Sequence, residues 1–141
     1  MVDPRWTVGA DPDLDVAFVV LQPHNGSSIG DVLGANQLAV NTGVRNRVRV
    51  TGYPDDASTP ITCAARTSAQ SATQMRFACT GYASGTSGSP WLTKFDPRTR
   101  TGTVVGVIGG YQQGGDSPDV SYSPYFGDDI KHFYQQAEAE S

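Results

Sequence analysis

Gly81-Tyr82-Ala83-Ser84-Gly85-Thr86-Ser87-Gly88-Ser89-Pro90-Trp91-Leu92 is the stretch on which the reading of this chain turns. Two glycines bracket one serine, a small residue and a proline follow, and an apolar, strand-like segment closes the run. A nucleophilic serine needs its hydroxyl exposed on a tight turn, with backbone N–H groups free to hold an oxyanion. Gly85 can take backbone angles that other residues avoid and leaves room for a substrate carbonyl; Gly88 does the same on the other side. The competing reading is an ordinary Ser/Gly loop, and spacing alone does not separate the two.

Around this loop the sequence reads as strands. Val44 to Thr51 alternates, with Arg45, Arg47, Arg49 and Thr51 on one face and Val44, Asn46, Val48 and Val50 on the other. The valine face is expected inward and the arginine face in solvent. Pro54-Asp55-Asp56 marks a turn. Further strands are expected at 60–65, 74–80, 89–94, 102–109 and 119–123, with turn residues recurring between them as an all-β domain requires. Asp15 to Leu21 is an acid followed by a continuous apolar run, the pattern of a buried strand. Pro23 to Asn41 is polar and Gly-rich and reads as a connection. Only the C-terminus reads as helix: Asp128 or Asp129 can cap it, and Ile130, Phe133, Tyr134 and Ala137 fall on one face.

Composition narrows the function classes. The chain has 141 residues, enough for one domain with its own core, and its 16 glycines show no collagen period. The net charge is −4 and the basic residues cluster only at Arg45, Arg47 and Arg49, so no nucleic-acid partner is expected. The longest apolar run, Val16 to Leu21, is strand length, well short of the ~18 residues of a membrane span. Met-Val-Asp-Pro-Arg-Trp lacks the charged region and apolar run of a signal peptide. Cys63 and Cys79 each sit in strand-like sequence, where they could bridge in an oxidising compartment or stay as two buried thiols.

Gly85-Thr86-Ser87-Gly88-Ser89-Pro90 resembles the Gly-x-Ser-Gly-(Gly/Ser)-Pro signature of chymotrypsin-like (trypsin-like) serine peptidases. Asp15-Val16-Ala17-Phe18 resembles their second signature, an aspartate opening an Asp-(Ile/Val)-Ala-Leu strand. Gly52-Tyr53-Pro54 is similar to a turn of the bacterial secreted branch that includes glutamyl endopeptidases. Gly106-Val107-Ile108-Gly109-Gly110 looks like the strand lining the substrate cleft, and the terminal helix has a counterpart as well. The elements come in family order over nearly the whole chain. The resemblance implies an all-β fold: an antiparallel six-stranded β-barrel, the C-terminal half of the family's double barrel, plus a C-terminal α-helix. Residues 1–22 would be a remnant of the first barrel carrying the catalytic aspartate, 23–44 the inter-barrel connection, and 45–141 the second barrel and helix.

The same resemblance implies a serine-type endopeptidase acting through an acyl-enzyme on a polypeptide, without metal or cofactor. Ser87 would attack the peptide carbonyl, and the N–H groups of Gly85 and Ser87 would form the oxyanion hole. Asp15 would orient and charge-stabilise the catalytic imidazole. Thr80, Gly81 and Tyr82 would floor the substrate pocket, and the Gly109–Gly110 edge would pair with substrate backbone. A Cys63–Cys79 disulfide and a secreted parent protein follow from the same branch. Thr86 stands where zymogen-activated relatives have an aspartate, which argues against that activation route. No acid lies at 80–82, so no ionic preference for Arg or Lys is expected. Glutamate-specific relatives carry a histidine where this chain has Ile108.

One element of the family pattern is missing. The histidine should precede the aspartate, yet no histidine stands among the fourteen residues before Asp15. His24 lies in the connection and His132 off the apolar face of the terminal helix. The expected account is a fragment or late-start reading of a longer peptidase, inactive alone; the alternative is a non-catalytic, peptidase-like binding module. Ser87, Asp129 and His132 follow the order of an α/β-hydrolase, but Pro90-Trp91-Leu92 reads as a strand where that fold needs a helix. With a barrel missing, Val16, Phe18 and Val20 are expected in solvent, favouring self-association.

Overall fold

A computed structural model describes residues 1–140. The chain is mostly β with few helices. It opens with α1 (Pro4–Gly9), a 3-10 turn (Pro12–Leu14) and α2 (Ile29–Leu33). Then come β1 (Gln37–Leu38), β2 (Arg47–Gly52), β3 (Ile61–Arg66), β4 (Ser68–Ala69), β5 (Gln74–Ala78), β6 (Pro90–Asp96) and β7 (Thr101–Val107). A second 3-10 turn (Tyr111–Gly114), β8 (Val120–Pro124) and α3 (Asp128–Ala139) complete it.

The alternation read at 44–51 holds in β2, whose residues are exposed and buried in strict turn, with Val48 and Val50 inside. Arg49 on the outer face lies over the Phe95 ring, 4.9 Å from its centroid. Val48 and Val50 join Met75, Phe77, Tyr82, Trp91, Val105 and Ile108 in the main core. Phe77 sits at its centre, 5.6 Å from both Tyr82 and Trp91 between ring centroids. The cysteines bridge: Cys63 on β3 and Cys79 just after β5 have Cα atoms 6.4 Å apart, within the span a disulfide requires.

The strands do not close into the six-stranded antiparallel barrel expected from the sequence. They form a five-stranded sheet in the order β1-β7-β6-β2-β3 and a three-stranded sheet in the order β4-β5-β8. One pair, β1 with β7, is parallel. The breaks have local causes. Thr67 interrupts the run between β3 and β4, its hydroxyl donating to Val44 O and accepting from Asn46 N, each at 2.8 Å. Between β7 and β8 a side chain replaces a ladder acceptor. Val107 N donates to Ser123 Oγ at 3.0 Å, and Ser123 Oγ donates to Pro124 O at 2.8 Å. One backbone bond, Gly109 N to Tyr122 O at 3.0 Å, still links that seam.

Two further expectations change. Asp15 to Leu21 is not a strand; Ala17 makes only an isolated bridge with Val2. Val20 is exposed as expected, but Val16 and Phe18 are less exposed than expected. Phe18 packs its ring on Phe133 and Tyr134 of α3 at 5.1 and 5.4 Å. Val16 and Phe18 lean on a second cluster formed by Leu14, Phe126 and Ile130. Val19 and Leu21 do face solvent, as do Val8, Val32 and Leu33. Helix is also not confined to the C-terminus, because Asp3 caps α1 by accepting from Arg5 N at 2.8 Å, with Pro4 in the first turn. α3 follows its expected face, burying Ile130, Phe133 and Ala137, but Gly127 occupies the cap position and Asp128 and Asp129 lie in the first turn.

Candidate active site

The serine loop is held at both ends and bare at its tip. Thr86 is buried, and its hydroxyl donates to Ala83 O at 2.8 Å. Thr86 N also bonds Ala83 O, and Ser89 N bonds Thr86 O, which makes two successive tight turns. Gly88 N donates to Ile108 O at 2.8 Å and Ile108 N to Ser89 O at 3.0 Å, tying the loop to the end of β7. Ser87 stands exposed at the apex. Among the described residues its hydroxyl and its N–H have no hydrogen-bond partner, nor has Gly85 N–H. Free donors in a fixed loop are what oxyanion binding requires.

Gly85 is needed for a reason the sequence did not suggest. Its φ is +92°, and a Cβ there would run into the Asp55 carboxylate and come within 2.7 Å of both Asp55 N and Tyr53 O. Asp55 N donates to Ser84 O at 2.8 Å. At Gly52 a Cβ would meet Ser89 Oγ at 2.9 Å and the Thr86 side chain at 3.1 Å. The Gly52-Tyr53-Pro54-Asp55 turn is therefore the cradle of the serine loop.

Asp15 reaches the same region from the N-terminal segment. Its Oδ2 accepts from Gly110 N at 2.8 Å, and its Oδ1 has no hydrogen-bond partner among the described residues. Gln74, which the sequence reading passed over, fixes this arrangement. The side chain is 3% exposed. Its Nε2 donates to Pro12 O at 3.0 Å and to Asp13 Oδ1 at 2.7 Å, while its Oε1 accepts from Tyr111 N at 2.9 Å. One amide thus joins the residues before Asp15 to the residue after Gly110. The Gly109–Gly110 edge is already engaged. Gly109 N bonds Tyr122 O, Gly110 N bonds Asp15, and Gly110 O accepts from Gln113 N at 2.9 Å. Beyond it, Gln112 and Gln113 both take left-handed backbone angles, with φ of 51° and 52°.

Two clefts meet at Ser87. The larger, about 770 Å³, is lined by Asp15, Ser87, Gly109, Val2, Trp6 and Val107 among others. The other, about 580 Å³, runs from Ser87 and Gly85 past Tyr82 to Gly115, Asp116 and Ser117. Ser87, Ile108 and Gln113 line both. Of the residues expected to floor a substrate pocket, Tyr82 lines a cleft and Thr80 and Gly81 do not. Tyr82 is buried and donates its hydroxyl to Val50 O at 2.8 Å. Burial raises its phenol above the ordinary value of 10.0. His24 and His132 are exposed and line neither cleft. Among the described residues no group of three or more His, Cys, Asp or Glu side chains could hold a metal ion.

No protein-family model matches the chain, and no curated protein sequence does. Solved structures do. A thermostable serine protease, AL20, from an extremophilic microorganism superposes with a TM-score of 0.81 at 22% identity, over 99% of this chain and 65% of that one. Protease Anisep from Arthrobacter nicotinovorans superposes with a TM-score of 0.76 at 24% identity, over 96% of this chain and 63% of that one. The chain has a serine-protease fold. It spans just under two thirds of the length of either neighbour.

Proposed function

We propose that this chain is the serine-bearing part of a secreted serine endopeptidase of the bacterial branch related to glutamyl endopeptidases, and that it lacks a catalytic histidine. Residues 1–22 would belong with a missing first barrel, 23–44 would connect, and 45–141 would be the second-barrel half. The observation that carries the reading is the Ser87 apex: an exposed hydroxyl beside two unpartnered N–H groups, on a loop locked by Thr86, Gly88 and Ser89. The Cys63–Cys79 bridge supports an oxidising compartment, hence secretion.

The chemistry follows from what each group can do. Ser87 Oγ adds to a peptide carbonyl, whose oxygen becomes an oxyanion held by Gly85 N–H and Ser87 N–H. The serine proton must pass to an imidazole base and then to the leaving amine. Asp15 Oδ1, with no hydrogen-bond partner, is free to accept that imidazole's other N–H, while Oδ2 stays anchored on Gly110. A serine hydroxyl near neutral pH is a poor nucleophile without such a base, so the 141-residue chain alone is expected to be inactive. Joining a histidine-bearing upstream barrel from a solved serine protease to Met1 should create peptide hydrolysis that Ser87→Ala removes. The exposed Val19, Leu21, Val32 and Leu33 would otherwise promote self-association.

A second reading, a non-catalytic peptide-binding module, is favoured by one observation. Both backbone groups of Gly110 are occupied, so the edge that would pair with substrate is closed at that residue. A joined protein that folds, binds peptide and never cleaves it would decide for this reading.

A further inference from the structure

The outer face of β2 and β3 carries arginines and no acid. Arg45, Arg47 and Arg49 alternate along β2 and the residues leading into it, all exposed. The register sets Arg66 of β3, also exposed, directly opposite Arg47. Arg49 faces Ala64 on β3 and Leu92 on β6. Further along, the Thr51 and Thr62 hydroxyls bond each other at 2.9 Å. β6 brings one acid, Asp96 at its end, which pairs with Arg98. None of the four arginines makes an ion pair among the described residues. A chain of net charge −4 thus gathers four of its 10 basic side chains on one sheet face without a counter-charge.

The arrangement is held in place although it works against the sheet that carries it. Like charges directly opposite one another on neighbouring strands are destabilising, and Arg47 and Arg66 are such a pair. The Arg49 guanidinium lies over the Phe95 ring, which orients it and leaves its N–H groups available. The Thr67 hydroxyl grips the backbone on both sides of Arg45, accepting from Asn46 N and donating to Val44 O. Alternate residues of a strand recur about every 6.8 Å, and an extended polypeptide with an acid at every second position has the same repeat. None of the four arginines lines either cleft, so the face suits an extended partner rather than a small anion. β2 then runs on into the Gly52-Tyr53-Pro54-Asp55 turn that cradles the serine loop.

We propose that the face formed by Arg45, Arg47, Arg49 and Arg66 is a docking surface for an acidic, extended stretch of polypeptide. Carboxylates on one side of that stretch meet the guanidinium forks, a pairing that Arg makes better than Lys. The partner is a substrate only if the peptidase reading holds; the docking itself needs no catalysis.

The test is fluorescence anisotropy of end-labelled peptides with the full chain at low salt. One peptide alternates Glu and Thr, and its neutral counterpart alternates Gln and Thr. The Glu peptide should bind, and more weakly as salt rises, while the Gln peptide should not. Arg47→Gln with Arg66→Gln should weaken it about tenfold, in the range of two exposed ion pairs. Lys131→Gln, which removes a cation from α3, should change nothing. Arg47→Gln alone should leave the urea midpoint unchanged or raise it, because a like-charge contact is relieved. Equal binding of both peptides, no effect of the double variant, or an equal effect of Lys131→Gln would each overturn the proposal. A clear fall of the midpoint would assign the arginines to the fold and overturn it as well. So would heparin or a single-stranded oligonucleotide binding more tightly than the Glu peptide at matched charge. Fluorophosphonate labelling of Ser87 in the barrel-joined protein reports separately on the peptidase reading. Peptide docking without labelling would support the docking surface and remove its link to cleavage.

Discussion

Gln74→Leu is expected to loosen the candidate site without touching Ser87 or Asp15. Leucine nearly matches glutamine in volume but cannot replace its three hydrogen bonds, at 3.0, 2.7 and 2.9 Å. Bonds between neutral groups contribute about 0.5–1.5 kcal/mol net, and those to a charged group about 1.5–3. Tyr111 and Pro12 are exposed enough for water to reach their freed groups, so the lower end applies, about 3 kcal/mol in all. With a urea slope of about 1.5–2 kcal/mol/M, the midpoint should fall by roughly 1.5–2 M. The Gly110 amide resonance should also move, because the segment bearing Asp15 loses its tether. Gln74→Glu supplies a signed control. It keeps an acceptor for Tyr111 N–H but sets a carboxylate against Pro12 O and Asp13. Its folded-state pKa should therefore rise, so the folded state binds the extra proton. The variant should approach wild-type stability at low pH and lose it as pH climbs above ~4.3. If Gln74→Leu shifts stability by less than about 0.5 kcal/mol, the range of an ordinary surface change, the clamp argument is wrong.

Three other outcomes follow from single contacts. Replacing both Cys63 and Cys79 with serine should cost about 3 kcal/mol in denaturant melts, because a bridge across this separation restricts the unfolded chain. Gly85→Ala should cost about 2 kcal/mol or more, since the new Cβ meets backbone atoms at 2.7 Å. Gly88→Ala, facing open space at φ +78°, should cost only about 1–2 kcal/mol, and parallel melts will rank them. Tyr82 holds its proton more tightly when folded, so stability should decline as pH rises above 10 and the unfolded phenol ionises first. A pH series of melts should show this slope in the wild type and a shallower one in Tyr82→Phe, where Tyr134, raised by its hydrogen bond to Glu138, still contributes.

Much of the frame was legible because it rests on local rules. The valines of β2 and the apolar face of α3 each carry their pattern within a few residues, whereas the Cys63–Cys79 bridge was expected only from the family resemblance. Asp15 to Leu21 misled because an apolar run reports burial, not pairing. Among the described residues it makes only the isolated bridge of Ala17 with Val2, and Phe18 packs on α3 instead. The short helix α1 had signals that went unused, Asp3 before Pro4, as did α2, whose Ser28 and Asp31 cap each other. That the sheets stay open was not legible, because Ser123, from a distant strand, takes the place of a ladder acceptor for Val107. Gln74 was invisible for a related reason. It acts on segments more than 25 residues away in sequence and sits in no motif.

The most direct test of the central claim is the mass of the protein after incubation with a fluorophosphonate, which adds only to an activated serine. The chain should stay unlabelled alone. Joined to a histidine-bearing upstream barrel it should gain one adduct, mapped to Ser87, and Ser87→Ala should stay unlabelled. An adduct on Ser87 in the chain alone would contradict the account, because a base would then lie within these 141 residues. A folded, barrel-joined protein that never labels would contradict it from the other side, leaving a peptidase-shaped binding module.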